Sequence, residues 1–153
     1  MLHTGILGRI LMGALMALAL VSPHGVSAQT AVTARDAWMR EPLPSRDVTA
    51  VFVTLENTGS EKRSIVSATS AIAGKVELHH MVMANGMMRM TPVQAIELAP
   101  GKTELKPGSF HIMVFDLKER PAPGAKVDFT LTLDNGQTIP ISAEVRKVEG
   151  IKD

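Results

Sequence analysis

Beyond its N-terminal segment, the chain consists of short stretches rich in Val, Ile, Thr and Phe, separated by turn residues such as NTGS, KPG and two NG pairs. In several stretches the side chains alternate: in VFVTLE (residues 51–56), Val51, Val53 and Leu55 share one face. The stretches predicted as strands cover residues 48–56, 63–70, 75–83, 110–117, 126–133 and 138–148. We also expect a short helical turn near residues 67–73. Short strands with regular turn signals are typical of an antiparallel sandwich or barrel, so the sequence predicts an all-β fold.

The N-terminal segment has a different pattern, which is that of a secretory signal peptide. Arg9 is followed by twelve apolar residues (10–21), and Val26 and Ala28 are the small residues that signal peptidase requires before a cut at Gln29. An uncleaved membrane anchor is the alternative, but a bilayer-spanning helix needs about 20 apolar residues. We therefore expect cleavage and export.

This assignment leaves one domain, residues 29–153, after removal of the signal peptide, residues 1–28. Without Arg9, the sixteen Lys and Arg residues become fifteen, equal to the fifteen Asp and Glu residues. The domain therefore has no basic surplus with which to bind nucleic acid or anionic lipid. The chain contains no cysteine, which excludes disulfides, zinc–thiolate sites, iron–sulfur clusters and blue-copper centres.

The segment ELHHMVMANGMMRM (residues 77–90) concentrates two of the five histidines and five of the ten methionines. Its Asn85-Gly86 pair is a strong signal for a two-residue hairpin turn. The pairs that this turn predicts are Ala84 with Met87, Met83 with Met88, Val82 with Arg89, and Met81 with Met90. One face of the hairpin would then carry His79, Met81, Met83, Met88 and Met90, and the other His80, Val82 and Arg89.

A second segment, FHIMVFDL (residues 110–117), places His111 and Met113 two residues apart on one face of a predicted strand. Together with His79 and Met90 they offer two imidazole nitrogens and two thioether sulfurs. Thioethers favour Cu(I) over hard cations, and imidazole binds copper in either oxidation state. The four residues are therefore the candidate metal ligands.

Packing is the competing explanation for each methionine, because the flexible thioether commonly fills gaps in a core. For four methionines taken singly we expect that role: Met81, Met83, Met87 and Met88. We expect Met39, beside Trp38, to pack as well, and His80, on the opposite face, to be an ordinary polar residue. Either His80 or Met81 remains open as a substitute ligand.

The spacing of the candidate ligands resembles the H-x10-M-x21-H-x-M motif of the PCu(A)C family of periplasmic copper chaperones. Ten residues separate His79 from Met90, twenty separate Met90 from His111, and one separates His111 from Met113. The segments KVELHHMVMANGMMRMTPV and LKPGSFHIMVFDLK resemble the two metal-bearing segments of that family.

The resemblance implies a cupredoxin-like Greek-key β-barrel or sandwich that binds one Cu(I) per chain through His79, Met90, His111 and Met113. It also implies delivery of copper to the Cu(A) centre of cytochrome c oxidase subunit II, alongside a Sco-like thioredoxin-fold chaperone. Some members have a His- and Met-rich tail with a second site. The C-terminal sequence RKVEGIKD has neither residue, so we expect a single site.

The sequence is accordingly interpreted as a monomeric periplasmic metallochaperone that catalyses no reaction, binds no nucleic acid and is not stably inserted in the membrane. Two other classes remain open. A copper-dependent redox enzyme would turn over with a reductant and oxygen, whereas a chaperone would transfer copper stoichiometrically. A structural or adhesion β-module with a methionine-rich core would not be stabilised by Cu(I) at all.

Overall fold

A computed structural model of the protein describes residues 31–147, which form ten β-strands and no helix. In chain order the strands are β1 (Val32–Arg40), β2 (Val48–Asn57), β3 (Arg63–Thr69), β4 (Ala73–Ala84), β5 (Met87–Pro92), β6 (Ile96–Leu98), β7 (Gly101–Leu105), β8 (Phe110–Leu117), β9 (Lys126–Leu133) and β10 (Thr138–Arg146). The predicted signal peptide, residues 1–28, lies outside the described residues. Within the described part of the chain, no helix is long and apolar enough to cross a membrane.

The six predicted strands correspond to β2, β3, β4, β8, β9 and β10, and the all-β prediction is confirmed. The helical turn expected near residues 67–73 is wrong. β3 continues to Thr69 because Ala68 and Thr69 pair with Leu131 and Thr130 of β9, and β4 already begins at Ala73. A hydrogen-bonded ladder to another strand therefore overrides the local sequence preference.

The strands are hydrogen-bonded in the order β5-β4-β8-β2-β1-β10-β9-β3-β6, and β7 also pairs with β2. β1 and β10 are parallel, while the other pairs are antiparallel. The sheet curls round so that β3 contacts β4 and β6 contacts β7. One apolar core is enclosed, and Met39 is fully buried in it, as its predicted packing requires.

Strand alternation decides which residues of β4 and β8 point into this core. Leu78, Ile112 and Val114 are buried core residues. Their immediate neighbours His79, His111 and Met113 therefore project from the opposite side of the sheet. The candidate ligands consequently lie on the outer face of the β5–β4–β8 segment and not inside the barrel.

Candidate metal centre

Two imidazoles from separate parts of the chain meet on this outer face. His79 and His111 are directly opposite each other in the antiparallel β4–β8 pair, and their ring centroids are 5.9 Å apart. Both are buried, with 8% and 3% of their surface exposed. Two largely desolvated histidines in contact are uncommon unless their nitrogen atoms have partners.

The two candidate thioethers flank this pair. Met113 follows His111 by two residues on β8, and Met90 pairs with Met81 across the hairpin, diagonal to His79. A cleft of about 150 Å³ opens beside His111, while His79 lies behind that ring and does not line the cleft. It is lined by Arg40, Thr49, Ala50, Phe52, Met81, Met90, Pro107, Gly108, His111 and Met113. The structure thus brings all four candidate ligands to one face of three neighbouring strands.

The hydrogen bonds of the histidines determine which ring nitrogens are left for a metal. His111 Nδ1 donates to the Ser109 carbonyl oxygen at 2.9 Å, and His79 Nε2 donates to Glu77 Oε2 at 2.9 Å. The remaining nitrogens, His79 Nδ1 and His111 Nε2, are buried without a hydrogen-bond partner. Burying such acceptors unpaired is unfavourable, and each carries the lone pair that a metal ion would use.

This donor set fits a soft metal ion better than a hard one. Nowhere in residues 31–147 do three or more His, Cys, Asp or Glu side chains form a group that could hold a metal. The thioethers of Met90 and Met113 complete the set instead, and thioether sulfur selects Cu(I) among biological cations. The two unpaired imidazole nitrogens and two nearby sulfurs therefore fit monovalent copper.

Burial also keeps His111 in the form that binds metals. Removal of the ring from water lowers the pKa of His111 below its usual value, and the nearby His79 and Arg40 act in the same direction. The hydrogen bond to the Ser109 carbonyl opposes this effect. Because the pKa is lowered, the imidazole is neutral at neutral pH, as coordination requires.

A tight turn before β8 fixes the orientation of His111. Ser109 N–H donates to the Lys106 carbonyl, and Gly108 has a φ of 83°, as the third residue of a type II turn preceded by Pro107 requires. The Ser109 carbonyl accepts both the His111 ring N–H and the Met81 backbone N–H, the latter at 3.1 Å. One carbonyl thereby couples the ring of His111 to the β4 backbone.

The Glu77 carboxylate fixes the orientation of the His79 ring, a contact that was not predicted from the sequence. The carboxylate accepts from His79 through Oε2 and from Lys75 Nζ through Oε1, the latter at 2.8 Å. These contacts, with His79 first, lower the pKa of Glu77 and keep it ionised. A carboxylate that holds the second nitrogen of a ligating histidine fixes its tautomer and raises its basicity. Strand alternation places Glu77 and His79 on one face, so the sequence contains the information from which this contact could be predicted.

Aromatic rings cover both imidazoles. Phe52 lies 6.3 Å from His111 and Phe115 lies 6.0 Å from His79, measured between ring centroids. The guanidinium of Arg40 sits 5.9 Å from the Phe52 ring. These side chains from β1, β2 and β8 explain how residues on an outer face become buried. Neither Arg40 nor Phe52 was predicted to lie at the site.

The expectation that four methionines fill the core is wrong for three of them. The exposed fractions of Met83, Met87 and Met88 are 70%, 56% and 58%. Met87 and Met88 lie on β5, the end strand of the sheet order, all of whose residues are exposed. Met83 lies on β4 beyond His80, where the pairing with β8 ends and β5 is the one neighbouring strand. The fourth, Met81, is half-buried and lines the cleft. His80 lies on the opposite face, as expected, and stacks on Phe110 with ring centroids 4.0 Å apart.

Glu77→Gln is expected to weaken Cu(I) binding about tenfold while leaving the melting temperature of the metal-free protein nearly unchanged. The reason is that loss of the charge on an outer-shell partner typically costs about 10–100-fold in metal affinity, and the amide oxygen still accepts from His79. Competition with a Cu(I) chelator measures the affinity. Glu104→Gln is the matched control, because Glu104 also pairs with a lysine two residues earlier, Lys102, but on β7. Equal effects of the two substitutions would contradict a specific role for Glu77.

Comparison with known proteins identifies relatives at the level of sequence and of fold. The model of a family described as "Putative lipoprotein LpqE-like" matches residues 32–145. "Putative lipoprotein Lxx21020" of Leifsonia xyli subsp. xyli is 33% identical over 119 residues, which cover 76% of this chain and 70% of that protein. Lipoproteins are exported, so these names are consistent with an exported protein.

Solved structures with the same fold include PCuAC domains. The copper-bound PCuAC domain from PmoF2 aligns with a TM-score of 0.66 and 19% identity, over 77% of this chain and 94% of that domain. The solution structure of Cu(I)-DR1885 from Deinococcus radiodurans aligns with a TM-score of 0.60 and 29% identity, over 81% and 85% of the two chains. The predicted cupredoxin-like fold class is thereby confirmed.

Proposed function

The chain belongs to the LpqE-like family, and on this premise we propose that it is a copper carrier, which holds one Cu(I) ion on its β5–β4–β8 face and passes it to an acceptor protein. The observation that carries the proposal is the pair of buried, unpartnered nitrogens, His79 Nδ1 and His111 Nε2, on two histidines that face each other. His111 lines the same cleft as the thioethers of Met90 and Met113. Copper in the PmoF2 and DR1885 structures supports the same assignment.

The four proposed ligands suit a carrier because all of them are neutral. A neutral ligand set leaves the positive charge of Cu(I) uncompensated, so an acceptor with thiolate ligands binds the ion more strongly. Met90 is 53% exposed on the edge strand, whereas the histidines are buried. Met90 is therefore the proposed ligand that an acceptor could displace first.

The destination of the copper is proposed from the resemblance of the sequence to the PCu(A)C family. The acceptor would be the Cu(A) centre of cytochrome c oxidase subunit II, with a Sco-like chaperone acting on the same target. Export through the signal peptide of residues 1–28 would place the domain of residues 29–153 in the periplasm. The chain would act as a monomer, without catalysing a reaction.

Loading the protein with Cu(I) under anaerobic conditions tests the carrier function. We expect one tightly bound equivalent and a rise in unfolding free energy of about 2.7 kcal/mol at a free copper concentration one hundred times Kd. When the loaded protein is mixed with a copper-free Cu(A) domain, each molecule of loaded protein should then transfer one copper ion to that domain. Absence of stabilisation by saturating Cu(I) would contradict the proposal, and oxygen-dependent turnover would favour a redox enzyme.

A further inference from the structure

Four methionines form two rungs on the ligand face of the hairpin. The register pairs Met83 with Met88 near the turn and Met81 with Met90 two residues further in. Because residues two apart share a face, both rungs point to the same side as His79. We call Met81, Met83, Met88 and Met90 the methionine ladder.

Hairpin geometry brings the two methionine residues of each rung close together. Asn85 and Gly86 have φ values of 52° and 76°, which define a two-residue turn flanked by the pair Ala84–Met87. This flanking pair is hydrogen-bonded, so both rungs of the ladder are non-hydrogen-bonded pairs, in which Cα atoms lie only about 4.5 Å apart. The pair of His79 with Pro92 is also a non-hydrogen-bonded pair by this alternation, which suits Pro92 because proline has no N–H group to donate.

Along β4, exposure falls from the turn to the histidines, whereas every residue of β5 is exposed. Met83 and Met88 are 70% and 58% exposed, whereas His79 is 8% exposed. Met81 is half-buried between them and lines the cleft. Packing does not explain the outer rung, because methionines this exposed bury little apolar surface.

From this arrangement we propose that Met83 and Met88 form a second, weaker Cu(I) site at the hairpin tip. The inference rests on the proposed copper function but assigns a new pair of ligands. Two thioethers with open coordination positions bind a soft monovalent ion weakly, and the Met81–Met90 rung offers the next sulfurs along the same face. Copper would pass between tip and cleft by ligand exchange, remaining Cu(I) throughout.

Methionine-methyl NMR with anaerobically added Cu(I) tests the tip site. In the wild-type protein the first equivalent should shift the Met90 and Met113 methyl signals, and the second those of Met83 and Met88. Met87 is the internal control, because it is 56% exposed on the same hairpin but points to the opposite face. In His111→Ala the tip signals should still respond, which separates the tip site from the main site.

Substitution of the outer rung provides the functional measurement. Met83→Leu/Met88→Leu should retain the first equivalent, lose the second, and transfer Cu(I) to bicinchoninate about tenfold more slowly, a change of about 1.4 kcal/mol in barrier height. Met87→Leu should behave as wild type. Shifts confined to Met90 and Met113, or equal effects of the outer-rung and Met87 substitutions, would overturn the tip site and leave the main site standing. A double variant that slows transfer only to a protein acceptor would instead identify a docking surface and also overturn it.

Discussion

His111→Ala is expected to abolish tight Cu(I) binding while leaving the fold intact. The substitution removes Nε2, one of the two buried nitrogens without a hydrogen-bond partner. Loss of a direct ligand should exceed the about 10–100-fold effect of losing an outer-shell partner. The fold should survive because the removed ring projects from the outer face, and the Ser109 carbonyl keeps the Met81 N–H as a donor. Chelator competition measures the affinity, and far-ultraviolet circular dichroism verifies the fold.

His80→Ala is the matched control for this prediction. His80 is adjacent to a proposed ligand in sequence, yet it lies on the other face and stacks on Phe110. We expect its removal to leave Cu(I) affinity within about twofold of wild type, because a side chain on the other face offers no ligand to the ion. A larger loss in His80→Ala than in His111→Ala would mean that the register of β4 at the site is wrong.

Ile112→Ala is expected to have the reciprocal effect, lowering the free energy of unfolding by about 2–5 kcal/mol without removing a ligand. Ile112 is fully buried in the core, opposite Leu78 of β4 and Val51 of β2. The truncation removes apolar burial and leaves a cavity, and a domain has only about 5–15 kcal/mol of stability in total. Urea denaturation of the metal-free protein measures the change.

Val66→Ala provides the comparison for this second prediction, since Val66 is also β-branched and on a strand but is 42% exposed. Its effect should be about 0.5 kcal/mol or less, as for most surface substitutions. The folded fraction of Ile112→Ala should still bind one equivalent of Cu(I). If Ile112→Ala removed copper binding and His111→Ala unfolded the protein, the assignment of the two faces of β8 would be reversed.

The sequence predicts the long strands rich in Val, Ile, Thr and Phe, and β8 and β9 have the predicted bounds. It does not predict β1, because the register shifts between Arg35 and Trp38 and Asp36 has a φ of 54°, which breaks the period of two. β6 has three residues, and β7 begins at Gly101 and includes Lys102 and Glu104, so neither resembles the stretches rich in Val, Ile, Thr and Phe. The longer strands of that composition are therefore predicted from the sequence, including β3 with its bulge between Ile65 and Ser67.

Part of the candidate site was predictable from the sequence because that part depends on local geometry. The Asn85-Gly86 turn fixes the pairing of Met81 with Met90 by local geometry, and the observed register is the predicted one. Burial is different, because it depends on the order of strands in the whole sheet. The exposure of Met83 follows from the end of the β4–β8 pairing at His80, and the burial of His111 follows from Phe52 on β2. Each of these two burial states depends on another strand, so neither can be predicted from the sequence of one strand alone.

X-ray absorption at the copper edge, on protein loaded with one equivalent of Cu(I), tests whether the four proposed side chains bind the ion. We expect a monovalent ion with both imidazole nitrogen and thioether sulfur as nearest neighbours, and loss of the imidazole contribution of His111 in His111→Ala. Thioether ligation is expected because Met90 and Met113 line the same cleft as His111, whose Nε2 is unpaired. A first shell containing only nitrogen and oxygen, or one that is unchanged in His111→Ala, would contradict the proposed set of ligands.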